Sequence, residues 1–242
     1  MNLIIDVGNT LIKLAVFEEN KLIEKTSIGH RKAAAKIKDL LKEYRDLNKA
    51  IISSVGKKNK DVVKVLKKNL DLLKLSSKSK IPFENEYSTP KTLGVDRIAL
   101  VSASVEQFPD NNVLIIDAGT CVTYDFINFE NQYLGGAISP GLKLRYQSLH
   151  NLTANLPLLE LENPDDLIGN STVNSIHSGV VNGLISEIDG IIDRYLEKYP
   201  DLTVILTGGD ADFLAKRLKN SIFANSNFLL EGLNFILEYN TN

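Results

Sequence analysis

Cysteine is almost missing from this chain: Cys121 is the single one in 242 residues, which excludes an intrachain disulfide framework. Histidine is nearly as scarce. Three scattered histidines and one cysteine cannot build a conventional zinc site. No apolar run approaches the ~20 residues that a membrane span needs, so no membrane partner is expected. The N-terminus begins directly on a strand-like segment, without the basic and apolar regions of a signal peptide. With the cysteine usage, this points to the cytosol. Net charge is only −2, which gives nucleic acid no general electrostatic hold. What is present suits a soluble globular protein: 43% hydrophobic and 24% charged residues, in a length that fits two modest domains or one large one.

The most informative stretch is Asn2–Lys13. An apolar run, Leu3-Ile4-Ile5, leads into Asp6-Val7-Gly8-Asn9-Thr10, and an alternating segment follows through Ile12, Leu14 and Val16. This pattern predicts a strand, a tight glycine turn and a second strand. A carboxylate beside exposed backbone N–H groups and a Thr hydroxyl suits a metal-bound polyphosphate. The carboxylate would face Mg²⁺, and glycine would let the amides approach the phosphate oxygens. A hairpin turn with a capping Asp would use the same residues.

The motif returns at Val113–Thr120, where a hydrophobic strand ends in Asp117-Ala118-Gly119-Thr120 and a second alternating strand carries Val122, Tyr124 and Phe126. A third strand is predicted over Gln132–Ile138. A self-similar unit of this size means a duplicated domain. Two such units would point two Asp-Gly-Thr turns into one cleft. That arrangement resembles the actin, Hsp70 and sugar-kinase superfamily. The resemblance implies an α/β fold of two ribonuclease-H-like (actin-like ATPase) domains, each a mixed sheet flanked by helices.

Between these motifs, Lys21–Ser27 reads as a third strand, Arg31–Tyr44 as a helix, Ala50–Val55 as a buried strand and Lys60–Leu75 as a second helix. From Lys57 to Lys80 there are nine lysines and no aromatic residue. A solvated helix face is the common case for such a run, and single-strand binders usually add stacking aromatics. Ile81–Pro90 reads as extended or loop, and Thr92–Phe108 becomes helix after Gly94-Val95-Asp96-Arg97. Pro109–Asn112 is a polar break, giving expected domains of 1–110 and 111–242. A helix follows Gly141, Leu156–Ser171 is loop-rich, and Thr172–Tyr199 is the longest helix. Leu202–Leu206 is a strand leading through Thr207-Gly208-Gly209-Asp210 into a helix at Ala211–Leu218, and Leu229–Tyr239 is a final helix.

Two further groups carry chemistry. The double-glycine turn at Thr207–Asp210 would admit a flat adenine or ribose beside a helix N-terminus. Gly94-Val95-Asp96-Arg97 pairs a carboxylate with a guanidinium at a helix start, which is also what a cap with a surface ion pair would look like. Functionally, Arg97 would bind an anionic substrate group and Asp96 would accept a proton from a substrate hydroxyl.

Taken in order, Asp6-x-Gly8-Asn9-Thr10, Ser53-Ser54-Val55, Tyr87, Gly94-x-Asp96-Arg97, Asp117-x-Gly119-Thr120, Gly135-Gly136-x-Ile138-x-Pro140-Gly141, Ile168-Gly169-x-x-Thr172 and Thr207-Gly208-Gly209-Asp210 resemble the type III pantothenate kinase family over roughly residues 2–237. The resemblance implies ATP-dependent phosphorylation of pantothenate. Asp6, Val7, Gly8, Asn9, Thr10, Leu11, Ile12 and Lys13 would form the first phosphate-binding segment, and Thr120 would contact ATP. Asp96 would be the catalytic base. Tyr87, Gly94, Val95, Asp96, Arg97 and Thr172 would bind pantothenate. Asp117 would bind a monovalent cation, potassium or ammonium, and Mg²⁺ would accompany ATP. A homodimer is implied, with Thr172 acting from the partner's side.

The second turn lacks the Asn of the first, and Thr123 or Tyr124 stands where Lys13 stands, so the halves are not chemically equivalent. Cys121 is expected to be a buried small side chain, and His177 a helix-surface histidine. Tyr87, taken without the resemblance, would pack a loop onto the core. Two other readings stay open from residues alone. One is a kinase or ATPase of the same fold with another small hydroxyl substrate. The other is a non-enzymatic relative that binds nucleotide or pantothenate.

Overall fold

The structure is a computed structural model that describes residues 1–54 and 59–241. Val55 of the expected strand, and Lys57 and Lys58 of the lysine-rich stretch, lie outside the described residues. In chain order the elements are β1 (Asn2–Val7), β2 (Ile12–Glu18), β3 (Lys21–Ile28), α1 (Ala33–Glu43), β4 (Lys49–Ser54), α2 (Lys60–Asn69), β5 (Asp71–Lys74), β6 (Glu84–Asn85) and α3 (Val95–Gln107). They continue with β7 (Val113–Ala118), β8 (Cys121–Ile127), β9 (Gln132–Pro140), α4 (Leu142–Asn151), α5 (Thr172–Lys198), β10 (Thr203–Thr207), α6 (Ala211–Ala215), β11 (Phe223–Ala224) and α7 (Phe228–Thr241).

Contacts divide the chain into two compact units. The first is Met1–Pro109 with Asn131–Tyr133 and Asn227–Asn242, and the second is Asp110–Glu130 with Leu134–Ser226. The break at Pro109 falls in the polar segment that the sequence marks. The final helix follows contacts rather than chain order and belongs to the first unit.

In the first unit the sheet order is β3-β2-β1-β4-β5. β1 runs antiparallel to β2 and parallel to β4. Every residue of β1 is buried, as expected of a central strand covered on both faces. Strand alternation sends Leu3, Ile5 and Val7 into a cluster with Ile37, Leu40, Val62 and Leu66 of α1 and α2. Asn2, Ile4 and Asp6 point to the other face. There Asn2 Nδ2 donates to Asn234 Oδ1 of α7 at 2.9 Å and to Glu238 Oε1 at 2.6 Å. Gly232 of α7 crosses α3 so closely that a Cβ there would lie 2.0 Å from the Ala99 carbonyl oxygen.

The expected helix over Lys60–Leu75 is too long. α2 stops at Asn69, Leu70 turns extended (φ −137, ψ 154), and β5 pairs in parallel with β4. The Asp71 N–H donates to the Asn48 carbonyl (2.9 Å) and the Leu75 N–H to the Ile52 carbonyl (3.0 Å). An open sheet edge wins over helical propensity at these residues.

In the second unit the strands follow the order β11-β10-β7-β8-β9. Leu114, Ile116, Tyr124, Phe126 and Leu206 pack against Val181, Leu184, Ile188 and Ile192 of α5. α5 is capped by Ser171, whose Oγ accepts the Asn174 N–H at 3.1 Å. α6 is shorter than the helix expected at Ala211–Leu218. Both units are mixed sheets flanked by helices, each opening on an Asp-x-Gly hairpin, so the duplicated α/β architecture read from the sequence is present.

Two side chains are placed differently from expectation. Cys121 is exposed. Val122, Tyr124 and Phe126 of β8 face the core, so Cys121 falls on the opposite face at the strand's open end. His177 is 4% exposed, and its Nδ1 lies 2.8 Å from the Tyr146 hydroxyl. It precedes Val181 by one helical turn and shares that buried stripe.

Candidate active site

In the first unit, Asp6 sits at the end of β1 with Lys13 as its register neighbour on β2 and Ser53 on β4. Strand pairing therefore gathers these three side chains from three separate parts of the chain. The turn between β1 and β2 is closed by the Gly8 N–H, which donates to the Leu11 carbonyl at 3.1 Å. Asn9, Thr10 and Leu11 stand exposed at its tip. Burial pushes the Asp6 carboxyl up to about 6, Lys13 and the Ser53 hydroxyl pull it down, and the nearby Asp96 carboxylate pushes it up further.

Asp96 lies in the first turn of α3, which starts after Gly94. Its Oδ1 accepts the Arg97 N–H at 2.9 Å, so the helix N-terminus fixes the carboxylate's orientation. Arg97 is 5% exposed. Its guanidinium carbon lies 5.5 Å from the Tyr87 ring centroid and 5.9 Å from that of Tyr133. The Tyr87 and Tyr133 rings stack with centroids 6.0 Å apart. Asp6, Lys13, Gly94, Asp96, Arg97 and Tyr87 thus all belong to one unit, and Asp6 and Asp96 are near enough to repel each other.

In the second unit, Asp117 ends β7 opposite Thr123 of β8, so Thr123 holds the place that Lys13 holds in the first. Ala118 pairs with Val122, whereas Val7 pairs with Ile12, so the second turn is one residue shorter. The missing residue is the Asn. Thr207 of β10 is Asp117's parallel neighbour. Gly208 follows with φ +100, and a Cβ there would meet the Ala118 oxygen at 2.2 Å and Asp117 Oδ1 at 2.5 Å. The Asp210 N–H donates to the Ala118 carbonyl at 3.0 Å. From the other side, the Gly141 N–H donates to the Thr120 carbonyl at 3.1 Å. Three glycine-containing motifs that are far apart in sequence therefore meet at Asp117–Thr120.

Arg145 of α4 secures this meeting. Its Nε donates to the Pro140 carbonyl (2.9 Å) and its Nη2 to Ser139 Oγ (3.1 Å), and it is ion-paired with Glu187 of α5. Burial pushes the Glu187 carboxyl up, but donors from Ser139, Arg145 and Tyr124 outweigh it and hold Glu187 below its ordinary value. Thr172 is exposed at the start of α5. With Arg145, Ser148 and Ser175 it lines a cavity of about 680 Å³.

Sequence reasoning missed Tyr133 and Arg145. Tyr133 reads as a core aromatic in a strand, and only its backbone pairing to β6 brings it to Arg97. Arg145, four residues beyond Gly141 on a helix, carries no signal of its own.

Among the described residues, no group of three or more His, Cys, Asp or Glu is placed to hold a metal ion, and no helix is long and apolar enough to cross a membrane. A single carboxylate, Asp6, fits a divalent cation that brings waters and substrate phosphates as its other ligands.

Comparison with known proteins gives the family and the fold. Residues 2–194 match the sequence profile described as type III pantothenate kinase. The type III pantothenate kinase of Christiangramia forsetii is 54% identical over 240 residues, 99% of each chain. That of Flavobacterium johnsoniae is 51% identical over 239 residues, 99% of this chain and 98% of the relative. A glucokinase from an Antarctic psychrotroph superposes with TM-score 0.55 at 10% identity, over 98% of both chains, which shows a common fold. With a match over most of its length and relatives at this identity, the chain belongs to the type III pantothenate kinase family.

Proposed function

We propose that this protein transfers the γ-phosphoryl group of ATP to the primary hydroxyl of pantothenate, giving 4′-phosphopantothenate, the first step toward coenzyme A. The observation that carries the reading is the Gly94–Arg97 element of a family member, set at a helix N-terminus in the same unit as the Asp6 turn.

In this reading Asp96 is the base. With Oδ1 held by the Arg97 N–H, Oδ2 takes the proton of the pantothenate hydroxyl as its oxygen attacks the γ-phosphorus and ADP leaves. Because phosphoryl transfer has a loose transition state, the base mainly orients the hydroxyl. Arg97 binds the pantothenate carboxylate, and Tyr87, Gly94, Val95 and Thr172 complete that site. The segment from Asp6 through Lys13 binds the ATP phosphates, and Thr120 contacts ATP. Asp6 would be the carboxylate that holds Mg²⁺ bound with ATP, directly or through water, and the ion would supply charge to offset that of the phosphates. Asp117, with the Ala118 carbonyl nearby, offers the oxygen donors that suit potassium or ammonium. Along the chain the duplication is taken as 1–110 and 111–242, with the final helix packing back on the first unit. The protein acts as a cytosolic homodimer in which Thr172 serves the partner's pantothenate site.

The test is phosphorylation of pantothenate by the purified protein with Mg-ATP, in potassium and in sodium alone. Potassium-dependent product supports both substrate and cation. ATP hydrolysis without pantothenate product would move the assignment to another acceptor.

A further inference from the structure

A cavity of about 730 Å³ is walled by α2, β4 and β5 of the first unit, and the chemistry described above makes no use of it. That volume falls in the range of small-molecule sites. Its apolar lining is aliphatic: Val7, Ile52, Val63 and Leu75. Five lysines complete it. Lys60, Lys64, Lys67 and Lys68 recur at helical spacing along one side of α2, and Lys74 of β5 adds the fifth. Among the described residues none of the five makes an ion pair, and no carboxylate lines the cavity. Lys64 stands four residues from Lys60 and four from Lys68, a spacing at which like charges on a helix repel. A lysine face is ordinary where it meets only water. Here the ammonium groups share a hollow with apolar side chains, and an anion that also carries an apolar part would satisfy both.

The lining narrows the class of occupant. No described lining residue is aromatic, so a nucleobase finds no stacking face. Aliphatic walls suit a flexible alkyl chain, and lysines bind phosphate as point charges. We propose that this cavity binds a single-chain amphiphilic anion, with its alkyl chain on Val7, Ile52, Val63 and Leu75 and its phosphate head among the lysines of α2 and β5. Val7 lies between Asp6 and Gly8 in the chain, and strand alternation turns it to the face opposite Asp6. The ligand therefore sits behind the phosphate turn, on the side away from Asp6, and binds without displacing ATP.

The experiment is isothermal titration calorimetry of the full chain with inorganic phosphate, hexyl phosphate and octyl phosphate below their micellar range, each with and without saturating ATP. Octyl phosphate should bind one-to-one, at least about 100-fold more tightly than inorganic phosphate and about tenfold more tightly than hexyl phosphate, because each buried methylene adds affinity. Saturating ATP should leave that affinity within about twofold. Lys64→Gln combined with Lys67→Gln replaces two exposed side chains by a good helix former and should weaken octyl phosphate about tenfold. Val63→Phe fills the cavity and should erase the octyl-over-hexyl difference. If Val63→Phe does not fold, the lysine pair decides. Sedimentation with vesicles of phosphatidylglycerol in phosphatidylcholine separates a free amphiphile from a membrane surface, and the protein should stay in the supernatant. Octyl phosphate no tighter than inorganic phosphate, displacement by ATP, or binding indifferent to Lys64 and Lys67 would overturn the proposal. So would sedimentation with vesicles in the absence of octyl phosphate binding, which would make the lysines a membrane-surface contact. None of these outcomes touches the pantothenate assignment.

Discussion

Burial gives Asp6 a stability penalty, which the role proposed for it at the ATP phosphates would explain. Its carboxyl titrates at about 6 in the folded protein against an ordinary 3.8, chiefly because it is buried. The folded state therefore holds the proton more tightly than the unfolded chain. The stability contributed by this group falls as pH rises from about 4 to about 6, and above that window the carboxylate costs on the order of 3 kcal/mol. Asp6→Asn should raise the melting temperature at pH 7.5 by roughly 5–10 °C, with the gain gone near pH 4, as measured by thermal unfolding across pH. The same variant should lose most pantothenate phosphorylation, because a neutral amide brings no negative charge to a phosphate-bound cation. In the unmodified protein, kcat/KM for ATP should decline below about pH 6 as Asp6 takes up its proton. A burial cost retained at a charged position is the pattern of a functional site.

At the scale of elements, α3 matters because it holds both Asp96 and Arg97, and α7 fixes where α3 lies. Gly→Ala within a helix ordinarily stabilises by up to ~1 kcal/mol. At Gly232 the sign should reverse, since the added Cβ would meet the Ala99 carbonyl oxygen at 2.0 Å. Gly232→Ala should cost about 2–3 kcal/mol and lower the melting temperature by roughly 5–10 °C in a thermal scan. The α4–α5 contact makes a second element-scale prediction. Glu187→Gln removes the charge that pairs Arg145, and Arg145 holds Ser139 and Pro140, next to the Gly141 that bonds Thr120. The ATP KM should rise about three- to tenfold with the pantothenate KM unchanged, read by varying each substrate in turn. Elements also mark where the sequence could not be read. α2 and β5 share a lysine-rich amphipathic run, and its division depends on a hydrogen-bonded edge of β4 that no local pattern reveals. β6 is two residues long, so the pairing that brings Tyr133 to Arg97 left no trace.

Across the whole molecule, what the sequence made legible was the pair of Asp-x-Gly hairpins, because three or four apolar residues before a carboxylate and a glycine leave few alternatives to a buried strand ending in a turn. The Gly94–Arg97 element was legible as a helix start because its residues are contiguous on one turn. Less legible were groupings made by register: Ser53 beside Asp6, Thr123 opposite Asp117, Gly208 against Ala118. Cys121 was misread although strand alternation, applied from Val122, puts it on the face away from that core. His177 was misread although its spacing of four from Val181 put it on the buried stripe. Chain order misled as well, since α7 follows the second hairpin in sequence yet packs with β1 through Asn2 and Asn234. The central claim is that these pieces make a pantothenate kinase whose base is Asp96. Its most direct test is the rate of pantothenate phosphorylation with Mg-ATP and potassium, unmodified protein beside Asp96→Asn. The account predicts a kcat reduced at least about 100-fold with the melting temperature shifted by no more than about 2 °C. Turnover by Asp96→Asn at the unmodified rate would contradict it.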